Sequence, residues 1–159
     1  MAEEKNKLTM IVLSGDMDKV MAGYNIATGA AAQGMEVVIF YTFWGLKAIQ
    51  KGNLTGKGLF GRMLGLMNRG GIDTIGPSRL NFMGMGRWMF KMMMKSKGIT
   101  PLSELQKLSF ELGVRHLACQ MSMDVMEIAR EDLLDEVSDV AGVATMLEHA
   151  SQSKVTLFI

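Results

Sequence analysis

The sequence predicts an α/β fold: a mainly parallel sheet of about five strands with helices on both faces, in a flavodoxin- or Rossmann-like layer. Short β-branched apolar runs alternate with segments of helical periodicity, and glycines stand where the helices should end. The length of 159 residues suits one domain with a buried core. With 48% hydrophobic and 21% charged residues, the composition excludes a disordered chain.

The elements follow in order. Leu8 to Ser14 (LTMIVLS) is a continuous apolar run ending at Gly15, as in a strand buried on both faces. Asp16 to Gln33 places Val20, Met21, Tyr24, Ala27, Thr28 and Ala31 at helical spacing, and Gly34 closes that helix. Met35 to Tyr41 (MEVVIFY) is a second strand, after which Phe43-Trp44-Gly45 opens a new segment. Pro101 to Leu112 fits a helix with proline near its first turn and Gly113 at its end. Val114 to Cys119 reads as a third strand, and Ser122 as the cap of the helix that follows. Val137 to Val140 is a short fourth strand, Val143 to Ala150 a helix, and Val155 to Ile159 a fifth strand.

Between the second strand and Pro101 the composition changes. Residues 57–98 carry Lys57, Arg62, Arg69, Arg79, Arg87, Lys91, Lys95 and Lys97 against one acid, Asp73. Acids predominate after residue 98, so the chain's net charge returns to +1. The shift predicts a single domain over residues 1–159 with a basic Gly- and Met-rich insertion at about 52–98. Within it, Leu59 to Met67 is a short helix candidate. Asn81 to Lys95 is a stronger one, with Phe82, Met85, Met89 and Met92 or Met93 along one side and Arg87, Lys91 and Lys95 along another.

Several classes are excluded or disfavoured. The balanced charge gives no argument for nucleic acid. Cys119 is the one cysteine, so an intramolecular disulfide and a Cys-x-x-Cys redox pair are impossible. No apolar run approaches the roughly 18 residues of a membrane span. Met1 to Lys7 (MAEEKNK) is polar and unlike a signal or transit peptide. A cytoplasmic protein is expected, where a lone thiol stays reduced. The six methionines from Met83 to Met94 invite a Cu(I) reading. Beside Phe82, Trp88 and Phe90 they are better explained as adaptable apolar packing, so no metal and no cofactor is expected.

Cys119 carries the most chemical information. It lies at the carboxyl end of a parallel strand, where ligand and catalytic groups of open α/β sheets collect, and a following helix N-terminus would favour its thiolate. The competing reading is a small buried hydrophobe. His116 is the obvious base, but three residues along a strand place it on the opposite face. His149, in a late helix, reads as a surface or core histidine. The first strand–helix turn, Ser14-Gly15-Asp16, is a second candidate site, or a plain helix cap; it contains neither GxGxxG nor a P-loop. Phe43 and Trp44 would wall a pocket at the same sheet edge or pack the insertion. Nothing before Cys119 resembles a peroxidase frame, which leaves covalent carriage or nucleophilic transfer.

These residues also resemble a family. Leu13-Ser14-Gly15-Asp16-Met17-Asp18-Lys19, Gly29-Ala30-Ala31-Ala32-Gln33-Gly34, the VIFYTFWG run from Val38 to Gly45, and Cys119-Gln120-Met121-Ser122-Met123-Asp124 are similar to the DsrE/DsrF-like sulfurtransferase family. The likeness is to its branch with a long Gly- and Met-rich insertion. Val140 to Ala144 and Thr156 to Ile159 extend it to nearly the whole chain. The resemblance implies homo-oligomers and relay of sulfane sulfur on a cysteine persulfide; the apolar side of the Asn81–Lys95 helix is expected to form the oligomer contact, with a trimer-based assembly as one form. Its functional cysteine maps onto Cys119, with sulfur-donor and sulfur-acceptor proteins as partners. The expected function is therefore a sulfur carrier or sulfurtransferase. The alternatives are a noncatalytic binding module using the Ser14–Asp16 turn and Trp44, and a peripheral membrane adaptor using the basic helix. Three cations give too little lipid affinity to favour membrane contact.

Overall fold

The two β-branched runs form the central pair of a sheet: β1 (Lys7–Val12) and β2 (Glu36–Tyr41) are parallel, with Met10 opposite Ile39. β3 (Arg115–Cys119), β4 (Asp139–Ala141) and β5 (Val155–Phe158) complete five strands in the order β4-β3-β2-β1-β5, all parallel. This computed structural model describes residues 6–159. Most of the polar N-terminal stretch therefore lies outside the described residues.

Strand alternation sorts the side chains into two layers. Met10, Val12, Ile39, Tyr41 and Ala118 face a large core shared with α1 (Met17–Ala32) and α4 (Leu102–Glu111), which pack on each other. Each fully buried Met, Ile or Leu there contributes about 1.5–3 kcal/mol. On the opposite face Val38, Phe40, Leu117, Cys119 and Ala141 form a smaller cluster, against which Ile11 and Met146 pack. Met146 belongs to α6 (Val143–Ser151), a helix with no fully buried residue.

α1 buries Val20, Tyr24, Ala27 and Thr28 of the predicted stripe, leaves Met21 and Ala31 partly buried at its margin, and ends at Gly34 in the left-handed region (φ 81°). Gly113 (φ 75°) ends α4 in the same way.

Several boundaries differ from expectation. β1 stops at Val12 because the chain must turn there: the Leu13 amide bonds Ile159 and the Thr42 amide bonds Val12. The fourth strand is Asp139–Ala141, starting two residues and ending one residue later than read, because pairing with Leu117–Cys119 selects it. The single helix expected over Asn81–Lys95 is broken. A 3-10 turn at Phe82–Gly84, with left-handed backbone at Met83 (φ 57°) and Gly84 (φ 101°), leads into the shorter α3 (Met85–Ser96). A Cβ on Gly86 would collide with the Leu80 carbonyl, so the chain folds tightly back on itself at this point.

Residues 52–98 hold α2 (Leu59–Met67) and α3. They are tied to the layers at several places, among them the Gly71 amide on the Lys47 carbonyl and the Met17 amide on the Gly76 carbonyl. Ser78 donates its amide and hydroxyl to Asp18 at 2.7 and 2.8 Å, and Glu127 accepts the Gly58 amide at 2.8 Å. The cationic stripe of α3 is partly used internally. Arg87 bonds the Thr74 carbonyl and Lys91 pairs with Asp73 at 3.2 Å. The apolar side, with Phe82, Met85, Trp88, Met89 and Met93, is exposed.

Candidate functional site

The carboxyl ends of β1, β2 and β3 are laced together by the 3-10 helix Phe43–Ile49, which crosses the end of β1. Two glycines permit the crossing. A Cβ on Gly45 would collide with the Val12 carbonyl, and one on Gly15 with the Trp44 carbonyl. The SGD and FWG motifs are thus two sides of one close backbone contact. Phe43 enters the turn with φ 45°, an uncommon conformation for a non-glycine residue.

Cys119 is the last residue of β3, opposite Ala141 of β4, and is only 1% exposed. Helix α5 (Gln120–Val125) starts immediately after it, so Cys119 itself occupies the N-cap position. Ser122 is therefore not the cap, because the strand runs into the helix without a turn. Its buried hydroxyl instead lies 2.8 Å from Thr42 Oγ1 and joins the ends of β2 and β3.

His116 is on the other face, as alternation requires. Its Nδ1 is 2.9 Å from Tyr41 Oη and its Nε2 is 3.1 Å from Ser109 Oγ. Tyr24 and Gln106 extend this buried network, with Gln106 Nε2 donating to Tyr24 Oη at 2.9 Å. Burial pushes the His116 imidazole down to about 3 and the Tyr24 phenol up to about 12. The network is neutral, fully bonded and unable to serve Cys119 as a base. His149 is half-buried, its Nδ1 2.8 Å from Lys7 Nζ.

Ser14, Gly15, Asp16 and Trp44 do come together. They line an open cavity of about 830 Å³ between the sheet edge and the insertion. Phe43 does not line it, and neither do Cys119 and Ser122. Ser14 donates to Asp16 at 2.8 Å and Lys19 pairs with the same carboxylate at 2.9 Å. The turn's negative charge is thus met locally.

The cavity contains Lys47, which the sequence did not single out, and Arg69 and Arg87, which it placed only among the basic residues of the insertion. Lys47 is 4% exposed, with its ammonium 5.8 Å from the centre of the Trp44 ring. Burial pulls its pKa down to about 8. A lysine inside the apolar run Leu46–Ile49 was the available signal, since lysine is rarely buried without cause. Arg69 and Arg87 arrive only through the folding of residues 52–98.

The profile of the DsrE/DsrF/DrsH-like family matches residues 4–158. The chain belongs to this family. A Bacillus subtilis (strain 168) relative, "Uncharacterized protein YrkE", is 44% identical over the full length of both chains. "Sulfur carrier protein DsrE2" of Allochromatium vinosum is 33% identical, with 98% of this chain and 99% of that protein aligned. Among solved structures, the ychN protein from E. coli superposes with a TM-score of 0.60 over 97% of this chain and 99% of that one. At 10% identity that likeness speaks to the fold alone, and it agrees with the five-stranded layer. Among the described residues no helix is long and apolar enough to cross a membrane, and no group of three or more His, Cys, Asp or Glu is placed to hold a metal.

Proposed function

We propose that this DsrE/DsrF/DrsH-like protein relays sulfane sulfur between partner proteins as a persulfide on Cys119. The observation that carries the reading is the position of its one cysteine, at the carboxyl end of β3 where a strand meets a helix. A relative named as a sulfur carrier supports it. The Cys119 thiolate attacks the outer sulfur of a donor persulfide, R–S–SH. The donor's S–S bond breaks as the new one forms, giving Cys119–S–SH and the donor thiolate. An acceptor thiolate then attacks the same outer sulfur and Cys119 leaves as thiolate. Each step exchanges one S–S bond for another and needs no external oxidant or reductant.

The thiol's burial sets a condition. Met146 of α6 packs on the cluster containing Cys119, and α6 is thinly anchored. Exchange then requires α6 to open locally, as low-stability elements do. We place the protein in the cytoplasm, where one thiol stays reduced, and expect a homo-oligomer that covers the exposed apolar side of the insertion. Intact mass after incubation with a persulfide donor is the test. The protein should gain one sulfur, removable by reductant, and Cys119→Ser should gain none. Equal gain by the variant would end the proposal.

A second reading, a small-molecule pocket, is favoured by one observation: the Ser14–Asp16 turn and Trp44 share the 830 Å³ cavity.

A further inference from the structure

We propose that this cavity binds an organic oxyanion, with a phosphate- or sulfate-type head held by Lys47, Arg69 and Arg87 and an apolar body lying against Trp44 and Leu66. The inference rests on the small-molecule reading of the pocket and is independent of sulfur transfer at Cys119.

Charge comes first. Four cations line the cavity, Lys19, Lys47, Arg69 and Arg87, against one acid, Asp16. Asp16 is already paired with Lys19 and bonded by Ser14, so those two charges largely cancel. Three positive charges remain without a carboxylate partner in the cavity. Arg69 Nε bonds the Gly52 carbonyl at 2.6 Å, and Arg87 Nη1 bonds the Thr74 carbonyl. Each contact fixes the guanidinium by one donor and leaves the others for a ligand.

Lys47 is the second, separate observation. Its stem is buried and only the tip reaches the cavity, where among the described residues no carboxylate or hydrogen-bond acceptor meets the ammonium, which lies beside the face of Trp44 and keeps contact with solvent. A partly desolvated ammonium without an anion is held at a cost. It is retained on a rigid 3-10 helix whose Lys47 carbonyl is bonded by the Gly71 amide at 2.8 Å, so its place is fixed by the backbone. An anion in the cavity would supply the missing counter-charge.

Size gives the third. A lone oxyanion would occupy a small fraction of about 830 Å³, a volume within the usual range for organic ligands. Trp44, Leu66 and Met67 provide an apolar wall beside the cationic one. Asn68, Thr74 and Asn81 add neutral polar groups.

Calorimetric titration with phenyl phosphate, orthophosphate and benzyl alcohol, at constant ionic strength in chloride, tests this. Phenyl phosphate should bind at least tenfold tighter than orthophosphate and benzyl alcohol should bind weakest. Lys47→Met and Arg69→Gln should each weaken phenyl phosphate tenfold or more, with melting curves confirming that both variants fold. Trp44→Leu should erase the advantage of phenyl phosphate over orthophosphate. Cys119→Ser should bind like the natural protein. Binding of benzyl alcohol as tight as phenyl phosphate would overturn the anion and keep the pocket. No heat with any probe would overturn both. Unchanged affinity in folded Lys47→Met would likewise overturn the proposal.

Discussion

His116 and Cys119 stand three residues apart on β3 and project from opposite faces of the sheet, the imidazole into the Tyr41–Ser109 network and the thiol into the cluster of Phe40, Leu117 and Ala141. The strand that carries the thiol thus also separates it from the imidazole.

The first prediction concerns access. With Cys119 buried beneath a cluster capped by Met146, native alkylation should be slow and limited by opening. Met146→Ala removes part of the cover and should raise the alkylation rate several-fold without changing the rate in denaturant. An unchanged native rate would show that the thiol is reached by another path.

The second concerns acid. His116 is held neutral in the fold, with its pKa near 3 against 6.5 in the unfolded chain. Between those values the unfolded state binds the extra proton, so stability is complete above about pH 6.5 and declines as pH falls toward 3. Urea unfolding at pH 7 and pH 5 measures this. His116→Gln should flatten the dependence across that interval, at the cost of some stability at neutral pH.

The third concerns Lys47, whose pKa falls from 10.5 to about 8 on folding. Here too the unfolded chain holds the proton more tightly, so stability rises with pH between about 8 and 10.5. Lys47→Met, which keeps the stem and removes the charge, should stabilise the protein at pH 7 by on the order of 2 kcal/mol. A stabilised variant that has lost its anion affinity would mark Lys47 as a residue kept for binding. A destabilised one would mean that its ammonium already has a favourable environment.

The fourth tests the crossing at the sheet edge. Gly45→Ala drives a methyl into the Val12 carbonyl and should cost on the order of 2 kcal/mol or more, read as a lowered melting temperature. Gly29→Ala, whose added methyl meets nothing within 4 Å, should be neutral or slightly stabilising.

The fifth concerns assembly. Phe82, Met85, Met89 and Met93 are exposed together on the insertion. Light scattering at micromolar concentration should find a homo-oligomer, and the double substitution Met85→Glu, Met89→Glu should reduce its mass. A monomer in the natural protein would require another cover for this surface.

Local patterning determined the sheet and its helices. β-branched runs, the α1 stripe and Gly34 and Gly113 depend on side-chain period and backbone freedom, which are properties of neighbouring residues. The place of Cys119 at a strand end, and its separation from His116, followed from the same two-residue period. Residues far apart in the chain decided the rest. Ser122 lost its expected capping role because α5 begins at Gln120, straight off β3, and its hydroxyl meets Thr42, eighty positions earlier. The insertion helix broke at Met83 and Gly84, where the chain folds back so that Gly86 lies against the Leu80 carbonyl. The cationic cavity formed only when residues 52–98 brought Arg69 and Arg87 over Lys47 and Trp44. Period and propensity act over a few residues, whereas a site assembled from the ends of several elements depends on how those elements pack.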